Sequence, residues 1–399
     1  MPTLHARLKL RILCIIDCLG SGGAQRQMTY LACGLKQRGH DVELFLTHPG
    51  ADHFRPEIEA AGIPIHGIDR RGHTGFSWRV LIAIRRLVRT GFDGIVSFQL
   101  SANGYAVLAT PLSLRSRLRV ICGERSSTTG IRSRVRKFGV WSTGALSDVL
   151  VANSHSQGDY LRRLPGLSRK IGVIWNGYPI SGAPTPPSHS DDPSHLTLLV
   201  VGRRTTVKNG LRLFQALQIV QERYGWTPRL RWAGAQQIDS ASLGETTAIQ
   251  TLLSQSPNLA TQCQFLGEVR DPTPLYRSSD VLILPSLYEG LPNVVCEAML
   301  AGCPVIASNV CDHPILLGNE KRGLLCDPQS PASIALAIQR FKLMTREERA
   351  TLAQRAYEFA ITHLSVKRMV DRYEKLLQLR SVHLRTNGPG SGSGTIPRR

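Results

Sequence analysis

Two glutamates eight residues apart, Glu289 and Glu297, stand in the stretch LPSLYEGLPNVVCEAM (284–299), and two cations, Arg203 and Lys208, stand in VVGRRTTVKNG (200–210). A carboxylate can accept two hydroxyl hydrogen bonds at once. A loop glutamate and a helix glutamate could therefore hold a hexose and a ribose. Two cations flanking a short loop can converge on one anion, and a diphosphate whose charge grows as its bond to sugar breaks suits such a pair. A third stretch, DCLGSGGAQRQ (17–27), puts Gly22 and Gly23 where backbone amides can approach a phosphate closely. Taken singly, each of these is more often an ordinary surface turn or a solvated acid. Taken together, they are the residue types that a sugar-nucleotide site would need.

Such groups act only where strand and helix ends hold them. Leu10 to Ile16 reads as a buried strand, followed by the Gly20–Gly23 turn and a helix from Ala24 to Arg38 with apolar residues at helical spacing. Further strands are expected at Val42 to Leu46, Gly94 to Phe98, Arg119 to Cys122 and Asp148 to Ala152. After the Pro/Ser/Asp-rich stretch Ser181 to Ser194, which reads as a linker, the alternation restarts. Strands at Leu196–Val201, Arg229–Ala233, Cys263–Leu266, Val281–Leu284 and Pro304–Ala307 surround helices at Gly210–Tyr224 and Asn293–Ala301. Alternating strands and helices imply α/β units with parallel sheets. The expected division is a first domain over 1–182, a second over 195–350, C-terminal helices over 351–380 and a disordered tail over 381–399. Ligands of such sheets bind beyond the carboxyl ends of the strands, here in the cleft between the two units. The helix starting at Asn293 offers unpaired N–H groups to a diphosphate. Asp191-Asp192 lies in the linker and has no strand to hold it as a metal ligand. A dinucleotide fingerprint from Gly20 fails twice: Gln25 stands at the third glycine position, and the second strand ends at Thr47-His48 without a ribose-binding acid.

The run EGLPNVVCEAMLAGCPVIAS (289–308) closely resembles the signature of the family 4 retaining glycosyltransferases, and VGR…K and Gly22-Gly23-Ala-Gln-Arg resemble two further motifs of that family, with Gln25 where Glu is usual. ICGERS (121–126), VANS (151–154), VIWNG (173–177), FLGEV (265–269) and LYRSSD (275–280) extend the resemblance over about residues 10 to 375. It implies the GT-B fold, two Rossmann-like parallel-sheet domains facing across a cleft. It also implies that Glu289 contacts the transferred sugar, Glu297 the ribose, and Arg203 and Lys208 the pyrophosphate of a UDP- or GDP-linked donor. Gly202, Gly290, Leu291, Asn293 and Val294 complete the donor-binding set. Glu124 and Arg125, with Gly22 and Gly23, fall on the acceptor side. The implied reaction retains anomeric configuration, with same-face attack assisted by the departing phosphate. No cofactor or metal is expected, since the two cations and a helix N-terminus can neutralise the diphosphate. The acceptor is expected to be a lipid-linked saccharide in cell-surface polysaccharide or lipopolysaccharide assembly. A sugar-nucleotide epimerase of the same fold and a non-catalytic basic binding protein stay open as alternatives.

Composition narrows the surroundings. The net charge is +20, and residues 1–190 hold 25 Lys and Arg against 11 Asp and Glu, which is +14 of it. A basic half can face nucleic acid, anionic lipid or a phosphorylated substrate, and none of the usual nucleic-acid modules is present. Nucleic acid is therefore not expected as a partner. Arginines cluster at Arg115, Arg117 and Arg119 and, with Lys137, at Arg132, Arg134 and Arg136. In the second cluster Ile131, Val135, Phe138 and Trp141 recur at roughly helical spacing, giving a helix that either packs its apolar stripe on the sheet or lies in a lipid headgroup region. No apolar run of about 18 residues is present, so membrane contact would be peripheral. The N-terminal apolar run is short, is interrupted by Asp17 and lacks a small-residue cleavage site, so it reads as a strand rather than a secretory signal. Nine cysteines without metal-ligand spacing fit reduced thiols, and the expected location is cytoplasmic, at the inner face of a membrane.

Overall fold

The computed structural model describes residues 9–70, 75–114, 117–125, 133–180 and 196–386. The expected linker with Asp191-Asp192, together with Arg115, Ile131, Arg132 and the chain beyond Thr386, lies outside them. Two compact units result. The first takes the chain up to Asn153, then Gly158–Ile174 and the chain from Met369; the second takes Ser154–Gln157 and Trp175–Arg368.

In the first unit, β1 (Arg11–Ile16), β2 (Asp41–Leu46), β3 (Ile65–Gly67), β4 (Gly94–Phe98), β5 (Arg119–Glu124), β6 (Val149–Ala152) and β7 (Ile171–Val173) pair in the order β3-β2-β1-β4-β5-β6-β7, all parallel. In the second, β8 (Thr197–Val201), β9 (Arg229–Ala233), β10 (Cys263–Gly267), β11 (Val281–Leu284), β12 (Val305–Ser308) and β13 (Leu324–Cys326) pair in parallel as β10-β9-β8-β11-β12-β13. Central strands such as VLIL at β11 are buried throughout, as a sheet covered on both faces requires. Each sheet reverses its strand order once, between β1 and β4 and between β8 and β11. Loops leave such a switch point in opposite directions and open a crevice there.

The C-terminal part departs from the expected division. The helix Arg346–His363 starts on a capping box, with Thr345 and Glu348 satisfying each other's backbone N–H. The next helix, Val366–Thr386, runs six residues into the stretch expected to be a disordered tail. From Met369 onward it belongs to the first unit, where Arg38 pairs with Asp371 at 2.6 Å and with Glu374. His40 ties the same helix to the sheet. Its Nδ1 accepts the Leu10 N–H at 3.2 Å, so Nε2 carries the proton facing Glu374 at 3.2 Å. These long-range charged contacts, invisible to local periodicity, draw the last helix back to the first unit. All nine cysteines are free, and burial pushes the Cys14 and Cys122 thiols up to about 12.

Candidate active site

The two loops that leave the β8/β11 switch point carry the expected charges, and the structure joins them. Lys208 Nζ donates to Glu289 Oε1 at 2.7 Å, with both side chains largely buried. The Leu287 N–H bonds the Val207 carbonyl at 2.9 Å, locking the loops in register. Asn209, in a left-handed conformation at φ 61°, donates from Nδ2 to the carbonyls of Pro285 and Pro328 at 2.9 and 2.7 Å. Two glycines make the turn after β8 possible. Gly202 (φ 140°) and Gly234 (φ 154°) pass so closely that a Cβ on Gly234 would lie 1.9 Å from the Gly202 oxygen.

Arg203 is exposed, and its Nη1 donates to Gln237 Oε1 at 3.3 Å. The neighbouring Arg204 lies 4.8 Å from the centroid of the Phe265 ring, beside a cavity of about 100 Å3 that Trp232, Glu245 and Thr246 also line. Its guanidinium is therefore engaged by packing.

The helix Asn293–Leu300 begins where β11 delivers the chain. Pro292 provides no side-chain cap, so the first N–H groups point outward with their dipole. Leu291 is buried in the apolar core beside Val295 and Met299 and contributes backbone only. Asn293 likewise has its side-chain oxygen committed, accepting from Asn176 Nδ2 at 2.9 Å and Tyr178 Oη at 2.6 Å. Gly290 and Val294 complete this edge. Glu297 is held by the phenol of Tyr276, which donates at 3.1 Å; burial, reinforced by the charge of Glu297, pushes that phenol's pKa well up. The expected site residues of the second unit thus fall on the loops after β8 and β11 and on the helix that follows β11.

In the first unit, Gly22 precedes the helix Gly23–Gln37. Gln25 folds back over Gly22 and donates to Asp17 Oδ1 at 2.8 Å, the same oxygen that accepts the Cys18 N–H. The Gln in place of the usual Glu is therefore a hydrogen-bond donor to an acid. Glu124 ends β5 and is buried. Arg125 stacks 3.9 Å over the Phe98 ring and donates to Tyr373 Oη at 2.7 Å, so its guanidinium braces the C-terminal helix.

Several residues at these strand ends were not read from sequence. His313 is fully buried, with Nδ1 against the Ser308 carbonyl at 2.8 Å, while Nε2 has no partner among the described residues. Burial depresses its pKa, and Lys208 adds to this against the opposing pull of the Ser308 carbonyl and Glu289. Its neighbour Asp312 accepts the backbone N–H groups of His155 and Ser156 and the Trp175 indole. Cys311, at φ 52°, receives the Glu289 N–H at 3.3 Å. In the first unit Gln99 sits at φ 77° just past β4, a strained position of the kind found at functional sites. The Lys-Asn-Gly triplet before a helix is a readable signal for a left-handed Asn209; His313 and Gln99 carry none.

The two units match two families. Residues 21–181 match the family described as Glycosyltransferase Family 4, and residues 195–342 match Glycosyl transferases group 1. A Campylobacter jejuni GalNAc-alpha-(1->4)-GalNAc-alpha-(1->3)-diNAcBac-PP-undecaprenol alpha-1,4-N-acetyl-D-galactosaminyltransferase is 24% identical, over 89% of this chain and 96% of its own. The amylovoran biosynthesis glycosyltransferase AmsD of Erwinia amylovora is 24% identical, over 87% and 94%. Among solved structures, Anabaena Alr3699/HepE in complex with UDP superposes with a TM-score of 0.76 at 19% identity, covering 92% of this chain and all of that one. At that identity the likeness is one of fold.

Proposed function

The chain belongs to the GT-B glycosyltransferases, and on that premise we propose that it moves a sugar from a nucleoside-diphosphate donor to a lipid-linked saccharide during cell-surface polysaccharide assembly. The observation that carries the donor assignment is the Lys208–Glu289 contact at the β8/β11 switch point, beside an uncapped helix N-terminus. A donor pyrophosphate laid against Lys208, Arg203 and the N–H groups of Asn293 and Val294 gains charge as the sugar leaves, and these groups stabilise it. Glu289, already bonded to Lys208, would hold the hexose hydroxyls with its second oxygen, while Glu297, oriented by Tyr276, takes the ribose. The acceptor hydroxyl attacks from the leaving-group face, the departing phosphate takes its proton, and configuration is retained.

The acceptor falls to the first unit, whose switch point carries Gln25 bonded to Asp17 and, just past β4, Gln99, residues whose amides and carboxylate are donors and acceptors suited to hydroxyls. The name of the Campylobacter relative supports an undecaprenol-linked saccharide as acceptor, and an acceptor of that kind would hold the enzyme at the cytoplasmic face of a membrane. No helix among the described residues is long and apolar enough to cross one.

The test is incubation with a panel of UDP- and GDP-sugars and a lipid-linked acceptor, reading nucleoside diphosphate release with and without EDTA. Release that depends on acceptor and survives EDTA is expected. Loss of activity with EDTA, restored by magnesium or manganese, would overturn the cation-pair account. Conversion of the donor sugar without any acceptor would favour an epimerase.

A further inference from the structure

Three helices of the first unit, Trp78–Val88, Leu100–Ala109 and Arg134–Leu146, pack side by side and share one core beneath them. Their inward sides are settled by burial: Val80, Leu81, Ile84 and Val88 on the first, Ala102, Tyr105 and Ala106 on the second, and Val140, Thr143 and Gly144 on the third. What remains outside is unusual for a soluble surface. Trp78 is 70% exposed, Val135 81% and Phe138 64%, with Phe76, Ile82 and Leu108 about half exposed. The apolar stripe of the third helix is therefore split: Trp141 is half-buried against the core beside Val140, Thr143 and Gly144, while Val135 and Phe138 stay outside. Aromatic contacts hold part of this outer layer in place: Phe76 stacks on Tyr105 at 5.3 Å, and Phe138 lies 5.6 Å from Trp141.

The charges on the same helices all have one sign. Arg79, Arg85, Arg86, Arg134, Arg136 and Lys137 are exposed, and the three helices contain no Asp or Glu. A second copy of this face would repel the first. Stacking aromatics and cations would also suit a nucleic acid, but exposed Ile82, Leu108 and Val135 find nothing to bury against there. An interfacial layer accepts both sets: apolar side chains enter the headgroup and acyl boundary while arginines meet lipid phosphates.

We infer that the outer face of these three helices docks the enzyme on an anionic lipid bilayer. The inference deepens the lipid-linked acceptor reading by naming the surface that holds the enzyme where such an acceptor resides. None of its residues belongs to the donor or acceptor groups assigned above.

The experiment is co-sedimentation of the full chain with phosphatidylcholine vesicles and with vesicles about one third phosphatidylglycerol, at low and high salt. Binding to the anionic vesicles that weakens with salt is expected. The double variant Trp78→Ser, Phe138→Ser should lower that partitioning about tenfold. The triple variant Arg134→Gln, Arg136→Gln, Lys137→Gln should lower it comparably and flatten its salt dependence. All the substituted residues are exposed, and unchanged thermal melts would show that the fold is intact. Equal binding to both vesicle types, wild-type binding by both variants, or tighter binding to an RNA or DNA oligonucleotide than to vesicles would each overturn the inference. Donor turnover with a water-soluble acceptor fragment is read in parallel and should not change in the variants. Vesicle binding without any donor turnover would sink the transferase reading and leave the docking surface standing.

Discussion

At the switch point of the second unit, the loops after β8 and β11 bring a lysine and a glutamate to 2.7 Å and leave Arg203 exposed, on a backbone that two positive-φ glycines permit. At the matching place in the first unit, the loops after β1 and β4 offer Asp17, Gln25 and Gln99, with no cation in the glycine turn and no glycine there in the left-handed region. The two sheets are built alike, yet one turn pairs a lysine with a glutamate and leaves a second cation exposed, while the other joins a carboxylate to amide and backbone donors. Shared topology fixes where a ligand binds; the charge and backbone of two loops fix which ligand it is.

The largest effect should come from the turns themselves. Gly234→Ala would drive a Cβ to 1.9 Å from the Gly202 carbonyl, a backbone atom that cannot swing aside, and would force a strained φ. A loss of at least about 3 kcal/mol in stability and of all donor turnover is expected. Gly22→Ala in the first unit meets only the flexible end of Gln25, at an ordinary φ of −73°. It should cost about 1 kcal/mol or less. Denaturant melts of both decide the matter: equal losses would mean that the second turn is no more constrained than the first.

A smaller effect should separate charge from scaffold. On the proposed assignment each contacts the reacting donor, so Lys208→Ala or Glu289→Gln should lower turnover about a hundredfold or more while the protein stays folded at the assay temperature, with some loss of stability from the partner left unpaired. Asp17→Asn keeps the single oxygen that accepts both Cys18 N–H and Gln25 Nε2, so turnover should stay within about threefold of wild type. If Asp17→Asn cost as much as Lys208→Ala, the division between a turn that depends on its charges and one that depends on its hydrogen-bond geometry would be wrong.

The central strands and the helix Gly210–Tyr224 were legible because continuous apolar runs and a full amphipathic period announce them. The edge strands Ile65–Gly67, Ile171–Val173 and Leu324–Cys326 were not, since three residues carry no period. Neither was Leu100–Ala109, whose LSANGYAVLA is buried on most sides and shows no polar face. The helix Arg134–Leu146 was legible as amphipathic, but its orientation was not. Val135 and Phe138 look like a core stripe until Gly144 is seen against Leu150 and Leu167, with Thr143 buried next to it. In the site, the charged residues stood out because each motif is contiguous. Tyr276, Asn176 and His313 reach it only through the fold.

His313 provides the finest test, because it has a counterpart. In the first unit His40 has both ring nitrogens engaged, one by Leu10 N–H and one by Glu374. In the second, His313 donates from Nδ1 to the Ser308 carbonyl, and its buried Nε2 has no partner among the described residues. Burial therefore holds the imidazole neutral and its pKa below the ordinary 6.5. In the unfolded chain it titrates near that ordinary value. As pH falls through about 6.5, the unfolded state takes up a proton that the folded state refuses, so stability declines until the depressed folded pKa is reached and then levels off. His313→Asn keeps a donor at the Nδ1 position for the Ser308 carbonyl and removes the titration. Denaturant unfolding of both proteins from pH 8 to pH 5 should show the wild type losing stability relative to the variant on the acid side, with a constant difference above about pH 7. Parallel profiles across that range would show that the ring is not held neutral in the fold, and that the unpaired nitrogen finds a partner the described residues do not supply.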